Sequence, residues 1–166
     1  MVTVAAPQEA VNRVLARVVD PEIPELSIVD LGIVRGVDSL PDGGWRVLIT
    51  PTYSGCPAFE TICQDIIAAL TEAGFAPIEI KRVISPPWST DWLSEQAKDT
   101  LRAIGIAPPG AATEPKPLVF FESPPVSCPR CGAADTELIS EFGATACKSL
   151  RRCRRCREPF EHVKPI

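Results

Sequence analysis

Two pairs of cysteines, each separated by two residues, constrain the fold of this chain more than any other feature. They are Cys128-Pro-Arg-Cys131 and Cys153-Arg-Arg-Cys156, near the end of a 166-residue sequence. A Cys-x-x-Cys turn presents two thiolates on one side of a tight knuckle, so two knuckles together supply four sulfur ligands for a tetrahedral site. The pattern predicts a zinc ribbon in which Cys128, Cys131, Cys153 and Cys156 bind the metal.

The spacing of these cysteines favours a site for Zn²⁺. Two unrelated pairs, or disulfides, fit less well, because both spacings, their separation and the flanking basic residues agree with a metal ribbon. Sulfur ligands and tetrahedral geometry alone do not separate Zn²⁺ from a rubredoxin-like iron centre. About forty residues bury too little apolar surface to fold alone, so we expect a structural ion that supplies the missing folding free energy.

Composition places the chain among ordinary soluble proteins. It is 45% hydrophobic and 23% charged, which suits one domain of about a hundred residues and a small module. No apolar run approaches the roughly twenty residues that span a bilayer, and the N-terminus lacks a signal-peptide pattern. We therefore expect a cytoplasmic protein with no membrane partner, whose seven cysteines suit metal binding in a reducing compartment better than disulfides.

Charge is unevenly divided along the chain. Residues 1–125 carry a net charge of −7, and residues 126–166 carry +3. The basic excess lies around the second knuckle, at Arg151, Arg152, Arg154, Arg155 and Arg157. These cations can offset the negative charge of a four-thiolate zinc centre or form a docking surface for an acidic partner. Nucleic acid is a weaker candidate, because no aromatic residues are interleaved with the arginines.

Apolar periodicity predicts a small α/β domain ahead of the ribbon. Its elements are expected in the order helix, hairpin, helix, strand, helix, at residues 7–19, 33–37 with 45–50, 57–74, 78–84 and 90–105. The buried face of the second helix is expected to hold Phe59, Ile62, Ile66, Ile67 and Leu70, with Pro57 in its first turn. This order predicts an α+β fold, a small α/β sandwich with a three-stranded sheet.

A cluster of prolines marks the end of this domain. Six prolines lie between residues 108 and 125, and such stretches form semi-extended spacers. We therefore expect the α/β domain at residues 1–106, a Pro-rich linker at 107–126 and the zinc ribbon at 127–166.

Cys56 is the candidate functional residue of the first domain. It lies between Gly55, which lets the backbone turn tightly, and Pro57, which opens a helix. The thiol is therefore expected at or near a helix N-terminus, where unpaired N–H groups and the helix dipole favour a thiolate. A nucleophilic or metal-binding cysteine would be placed this way, and so would a small buried cysteine at a helix start.

Several residues near this loop are weaker candidates. Thr50 and Thr52 point to the same face just before the loop, where hydroxyls can steady a thiolate or serve only as strand residues. Glu22 and Asp30 flank a stiff Pro-containing loop, and capping or bracing of that loop is the simpler role for both. Cys63 lies two helical turns further on, on the apolar side of the helix, and is expected in the core.

Two more residues of the ribbon attract attention. His162 is the only histidine and can in principle replace a thiolate, but the four cysteines already suffice, so we expect it on the surface. Cys147, beside Lys148, is a fifth thiol of the ribbon. The sequence does not choose between an exchangeable metal ligand and a thiol packed against the knuckles.

Several catalytic signatures are missing from the sequence. A single histidine and no paired-carboxylate helix motif cannot readily build a di-iron centre, a histidine-based triad or a three-histidine zinc site. Glycine-rich dinucleotide and phosphate loops are absent as well. We therefore expect no self-contained catalysis. The alternatives are a thiol redox protein that pairs Cys56 with Cys63 or Cys147, and a zinc-ribbon module that binds nucleic acid or protein.

Two motifs of the first domain resemble a known family. The stretch from Asp20-Pro-Glu-Ile-Pro to Leu31-Gly-Ile-Val34, and Thr50-Pro-Thr-Tyr-Ser-Gly-Cys-Pro57, are similar to the α/β domain of iron–sulfur cluster assembly factors. This resemblance implies a non-enzymatic maturation role, in which a transient iron ion or iron–sulfur cluster is delivered to a partner. Carried over by position, Cys56 is the family's reactive cysteine, and Glu22 is the acidic residue of its Asp-Pro-Glu motif.

The tail is similar to that of a family member that serves the ring-oxygenase complex of aerobic phenylacetate breakdown. The matching stretches are Cys128-Pro-Arg-Cys131, Ser140-Glu-Phe-Gly143, Thr145-Ala-Cys-Lys148 and Cys153 to Phe160. This resemblance implies partners among the reductase and oxygenase subunits, whose iron–sulfur or di-iron centre would be the cargo's destination. Minimal family members lack a ribbon, so we expect it to be a docking module that selects the client. Homo-oligomer formation stays open.

Overall fold

The computed structural model describes residues 5–110 and 125–166. The chain divides between Trp88 and Ser89 into two compact units, each with its own three-stranded sheet. Helices accompany both sheets, which confirms the predicted α+β fold. Most of the predicted linker falls on residues 111–124, outside the described residues. No helix in the described part of the chain combines the length and apolar composition needed to traverse a bilayer.

The first sheet consists of β1 (Val34–Ser39), β2 (Trp45–Ile49) and β3 (Ile78–Arg82), in that spatial order. β1 and β2 form an antiparallel hairpin, whereas β2 and β3 run parallel. Parallel neighbours need a crossover connection, and helix α2 (Phe59–Glu72) provides it. The central strand therefore ends where the loop to α2 begins. Its buried side chains are Trp45, Val47 and Ile49.

Helix α1 (Ala5–Leu15) is shorter than its apolar stripe suggests. Val11 and Leu15 are fully buried, and Val18 beyond the helix is 6% exposed. The chain leaves the helix because Val19 forms an antiparallel bridge with Ser27, which closes the Pro-containing loop. The predicted end at residue 19 is therefore wrong by four residues, since a backbone bridge replaces the last helical turn.

Helix α2 differs from its prediction at its start and on one face. Pro57 lies in the turn before the helix, rather than in its first turn, because the helix begins at Phe59. Ile62, Ile66 and Leu70 are at most 1% exposed, but Ile67 is 41% exposed. Each helical residue turns by about 100°, so the neighbour of a fully buried Ile66 points away from the core.

The predicted helix at residues 90–105 divides into a 3₁₀ turn, Thr90–Trp92, and helix α3 (Glu95–Ala103), both in the second unit. Two serines explain the division. The Ser89 hydroxyl accepts a hydrogen bond from the Asp91 N–H, and the Ser94 hydroxyl accepts one from the Ala97 N–H at 3.0 Å. Serine is a strong N-cap residue, so the second cap starts a new helix.

The second sheet is antiparallel and has β5 (Lys148–Cys153) between β4 (Thr136–Ser140) and β6 (Pro159–Val163). Its small core includes two of the cysteines of the knuckles. Ala107, at the start of the predicted linker, pairs with His162 and belongs to this core. The core residues are Ala107, Val126, Cys128, Cys153 and Phe160.

Candidate functional site

The four knuckle cysteines converge at one end of the second sheet. Cys128 Sγ lies 3.7 Å from Cys156 Sγ, and Cys131 Sγ lies 3.6 Å from Cys153 Sγ. All four sulfur atoms lie within 4.8 Å of one another. Four soft donors this close can all reach one small ion in tetrahedral geometry. The donor set fits a structural Zn²⁺ ion, as the sequence predicts.

The two knuckles share the same backbone geometry. The Gly132 N–H donates to the Cys128 carbonyl at 2.9 Å, and the Arg157 N–H donates to the Cys153 carbonyl at 2.9 Å. Gly132 and Arg157 both have left-handed backbone, with φ of 73° and 64°. Glycine adopts this conformation without a steric penalty, whereas arginine does not. In the sequence Arg157 stands out only as a charge, and its backbone role becomes visible in the structure.

The cysteines of the second knuckle differ in acidity. Hydrogen bonding from the backbone N–H of Cys156 lowers the pKa of Cys153 to about 7. A backbone hydrogen bond with Glu158 acts to lower the pKa of Cys156, but burial and hydrogen bonds with the other three thiols raise it to about 12. Crowded thiols resist full deprotonation, so binding of a divalent cation here releases protons.

The remaining ribbon candidates do not join the metal cluster. Cys147 is half-buried, with its Sγ 3.1 Å from Thr145 Oγ1, and it is not one of the four clustered sulfurs. The expected surface position of His162 is wrong, because the imidazole is only 6% exposed and its Nδ1 lies 3.4 Å from Ser149 Oγ. Only the pairing of β6 with β5 reveals this burial, since no local motif around His162 signals it.

Fewer arginines of the ribbon are free to contact a binding partner than the number of basic residues in the sequence suggests. Arg152 and Arg154 both pair with Glu137, and Arg151 is buried at 7% exposure. Arg155 and Arg157 are exposed. Antiparallel pairing of β4 with β5 brings the acidic residue beside the basic ones. Ion pairs of this kind leave fewer cations to contact an acidic partner or nucleic acid.

Cys56 lies in the loop that joins the buried end of β2 to α2. Thr50 opens this loop, is 1% exposed and donates its N–H to the Ile33 carbonyl at 3.0 Å. Cys56 is half-buried, and its N–H donates to the Tyr53 carbonyl at 3.1 Å. The Phe59 N–H donates to the Cys56 carbonyl at 3.3 Å. These bonds hold Cys56 in a compact turn, three residues before the first residue of the helix.

Arg82 contacts this loop, which the sequence gives no reason to expect. Its Nη2 donates to the Ser54 carbonyl at 3.3 Å, and its guanidinium lies 4.8 Å from the centre of the Phe59 ring. The parallel register pairs Arg82 with Ile49, the last residue of β2. A positive charge therefore contacts residues on both sides of Cys56: Ser54 in the loop and Phe59 at the start of α2. No local motif signals this, because the register between distant strands decides it.

Cys63 is half-buried on α2 rather than fully packed in the core. Burial raises the pKa of this thiol, and the carboxylate of Glu60 raises it further, against the opposing charge of Arg82. A thiol with a raised pKa is a poor nucleophile and a poor metal ligand at neutral pH. Cys63 is therefore a suitable control for experiments on Cys56.

The Pro-containing loop after α1 is braced by Asp20. Its Oδ1 accepts hydrogen bonds from the Glu22 N–H at 2.7 Å and the Ile23 N–H at 3.0 Å, and the residue is 7% exposed. The Glu22 side chain, in contrast, is exposed. Asp30 braces the end of the loop through a 2.6 Å hydrogen bond from Ser27 Oγ. The bracing role predicted for Asp30 is confirmed, but the one predicted for Glu22 is wrong, because Asp20, which the sequence does not single out, accepts the hydrogen bonds at the start of the loop.

Comparison with known proteins agrees with this architecture. Residues 8–75 match the family model described as iron–sulfur cluster assembly protein, and residues 112–164 match the PaaD zinc beta ribbon domain. A crystal structure of a domain of unknown function from Bacillus anthracis is 35% identical, with a TM-score of 0.51, over 58% of this chain and 96% of that one. The fold and the site define an iron–sulfur-assembly-type protein with a zinc-ribbon tail.

One relative that covers the whole chain, and two that cover its first domain, identify the family more closely. A protein of Escherichia coli (strain K12), provisionally named as a subunit of 1,2-phenylacetyl-CoA epoxidase, is 46% identical over 100% of this chain and 98% of its own. The chain belongs to the family of this epoxidase subunit. An Fe-S protein maturation auxiliary factor of Porphyromonas gingivalis (strain ATCC BAA-308 / W83) is 35% identical over 54% of this chain and 86% of its own. One from Bacillus subtilis (strain 168) is 36% identical over 57% and 92%. These relatives support a role in iron–sulfur maturation.

Proposed function

We propose that the chain is an accessory maturation factor for a multicomponent phenylacetyl-CoA oxygenase in aerobic phenylacetate breakdown. It would assist the assembly of an iron–sulfur or di-iron centre in the reductase or oxygenase subunit, without catalysing the oxygenation itself. The observation that carries this proposal is the half-buried Cys56 in a hydrogen-bonded turn contacted by Arg82, within an iron–sulfur-assembly-type domain. The names of the relatives supply the pathway and the kind of client.

Cys56 is the proposed ligand for the cargo. A thiolate is a good ligand for iron and for iron–sulfur clusters. A single thiol with few additional donors holds such a cargo weakly, which suits transfer to a client. The charge of Arg82 beside the loop would offset the negative charge of a thiolate-bound cargo. One thiolate would therefore bind the iron ion or cluster weakly, while the charge of Arg82 makes its negative charge tolerable at the loop.

The polar residues around the loop take supporting roles in this proposal. Thr50 is almost fully buried and hydrogen-bonded through its backbone, so it positions the start of the loop. Thr52 is half-buried and can offer its hydroxyl to the cargo. Glu22 lies in the separate loop after α1, where its exposed carboxylate can provide an oxygen ligand once the cargo or a client approaches.

The ribbon serves in this proposal as the module that selects the client. Its Zn²⁺ ion, held by Cys128, Cys131, Cys153 and Cys156, would stabilise the module and take no part in transfer. The two metals therefore have separate thiols and separate roles. This separation makes the proposal testable by metal analysis alone.

Anaerobic purification with iron, sulfide and zinc analysis tests the assignment. We expect Cys56→Ser to lose bound iron and keep zinc, and Cys131→Ser to lose zinc. Cys63→Ser is the matched control, since it removes a half-buried thiol of the same domain and should change neither metal. Cells that carry only Cys56→Ser should also lose oxygenase activity. Full activity with unchanged metal content in those cells would refute the proposed carrier role.

A further inference from the structure

One face of the ribbon sheet buries an arginine without a partner for its Nε. Arg151 is 7% exposed, and its Nε atom is buried and has no hydrogen-bond partner within the described residues. Burying a charged group without hydrogen bonds is costly, and native structures usually supply an acceptor. By sequence, Arg151 belongs with the surface cations of the second knuckle. Its burial calls for a different role.

Arg151 lines a cavity of about 200 Å³ on this face. Side chains alternate along a strand, so Ser149 and Arg151 lie on the same face of β5. The register places His162 opposite Ser149, and Leu138 opposite Arg151. The cavity is lined by Val126, Leu138, Glu141, Ser149, Arg151, His162, Lys164 and Pro165. Polar groups of two strands and of the segments that follow β4 and β6 thus meet in one small space.

The charges around the cavity favour an anion. Lys164 Nζ donates to the backbone carbonyl of Glu141 at 3.1 Å and lies 4.6 Å from the centre of the Phe142 ring, so its charge is held at the cavity wall. Glu141 is the one acidic residue in the lining, and its side chain is exposed. Burial of the imidazole and, to a smaller extent, the positive charge of Arg151 lower the pKa of His162 to about 4. At neutral pH the lining therefore carries two cations, the exposed carboxylate of Glu141, whose charge acts on Arg151, and a neutral imidazole, so its net charge stays positive.

We propose that this cavity binds a carboxylate group, with Arg151 Nε as its principal donor. Guanidinium and carboxylate groups match in planar, charge-assisted hydrogen bonds. Ser149 and His162 provide additional hydrogen-bonding atoms. The apolar lining of Val126, Leu138 and Pro165 suits the hydrocarbon part of a carboxylic acid better than a bare phosphate. The ligand is either a small organic acid or an acidic side chain of a partner protein.

The single histidine offers a direct assay. In the zinc-loaded full chain, the imidazole NMR signals of His162 belong to that residue without assignment work, since the sequence has no other histidine. We expect sodium acetate to shift these signals saturably, with a Kd of about 1 mM for so small a ligand. Sodium chloride at the same ionic strength should not. A bound carboxylate should also raise the pKa of His162, since an opposite charge favours the protonated form.

Variants connect the response to Arg151. Arg151→Met replaces the guanidinium group with an apolar side chain of similar length and should abolish the acetate response. The matched control Arg155→Met changes an exposed arginine in the same way and should keep the response. Stoichiometric zinc binding checks that the ribbon is folded. If Arg151→Met does not fold, Arg151→Lys keeps the charge without the planar donor and should weaken acetate binding about tenfold. Absence of an acetate response in the wild type, its persistence in folded Arg151→Met, or undiminished acetate affinity in Arg151→Lys would overturn the proposal.

A capped Ala-Glu-Ala peptide distinguishes the two sources of carboxylate. Tighter binding of the peptide than of acetate identifies an acidic side chain of a partner. Equal or weaker binding of the peptide identifies a small organic acid. Both outcomes require that the response be lost in folded Arg151→Met or weakened in Arg151→Lys. The site does not involve Cys56, so its failure would leave the proposed maturation role untouched.

Discussion

Burial of His162 should make the stability of the ribbon depend on pH. The imidazole is 6% exposed, and burial with the nearby charge of Arg151 lowers its pKa to about 4, from 6.5. The unfolded chain therefore binds a proton at this residue more readily than the folded chain does. The resulting stability is fully present above about pH 6.5 and is lost as the pH falls towards 4. At about 1.4 kcal/mol for each pH unit, the whole difference amounts to about 3 kcal/mol.

The variant His162→Gln isolates this contribution, because glutamine cannot titrate but can still hydrogen-bond to Ser149. Urea unfolding of the zinc-loaded proteins at about pH 6.5 and about pH 5 should show that the wild type loses about 2 kcal/mol more than the variant. Protonation of the metal ligands and carboxylates affects both proteins and cancels in the comparison. NMR titration of the imidazole gives the pKa directly. Equal losses of stability in the two proteins would refute the link between burial and ionisation.

Three further predictions concern backbone geometry and loop bracing, each with a matched control. Arg157→Gly should stabilise the zinc-loaded ribbon by about 1 kcal/mol in thermal unfolding, because it relieves a left-handed conformation, whereas Gly132→Ala should destabilise it by about the same amount. A destabilising Arg157→Gly or a stabilising Gly132→Ala would contradict the shared knuckle geometry. Gly44→Ala should cost about 1–3 kcal/mol, because its Cβ would lie 2.5 Å from the Pro77 carbonyl oxygen, while Gly36→Ala, with open space around it, should cost less than about 0.5 kcal/mol. Asp20→Ala should cost about 1–3 kcal/mol in urea unfolding by removing two accepted hydrogen bonds, and Glu22→Gln should stay within about 0.5 kcal/mol; similar costs would argue against Asp20 as the brace.

The metal cluster of the ribbon could be predicted because its information is local. The local geometry of a Cys-x-x-Cys turn places two sulfur atoms on the same side of the backbone. Two such turns that face each other supply the four ligands of one tetrahedral metal site. The predicted ligands Cys128, Cys131, Cys153 and Cys156 indeed cluster within 4.8 Å. The second knuckle conceals a further constraint, since Arg157 occupies the conformation that Gly132 occupies in the first. Nothing in the residue type of Arg157 indicates this.

Helices and strands could be predicted in order but not in extent. Apolar spacing identified both helices of the first unit and the hairpin, since periodicity reflects which face meets the core. Their ends depended on weaker and longer-range effects. The bridge of Val19 to Ser27 shortened α1, and the Ser94 cap divided the predicted third helix. At these boundaries, hydrogen bonds from bridges and caps replace those of the continuing helix. The spacing of apolar residues does not show where this happens.

The sequence by itself determined the α+β class, the four-sulfur knuckles and the turn that presents Cys56, because each follows from contacts between residues close along the chain. Tertiary structure alone decided that Arg82 reaches the Cys56 loop, that His162 is buried and that Arg151 lines a cavity. Each of these depends on the register between strands far apart in sequence. A shift of one residue in that register turns a side chain from one face of the sheet to the other. Burial and charge environment are therefore properties of strand pairing.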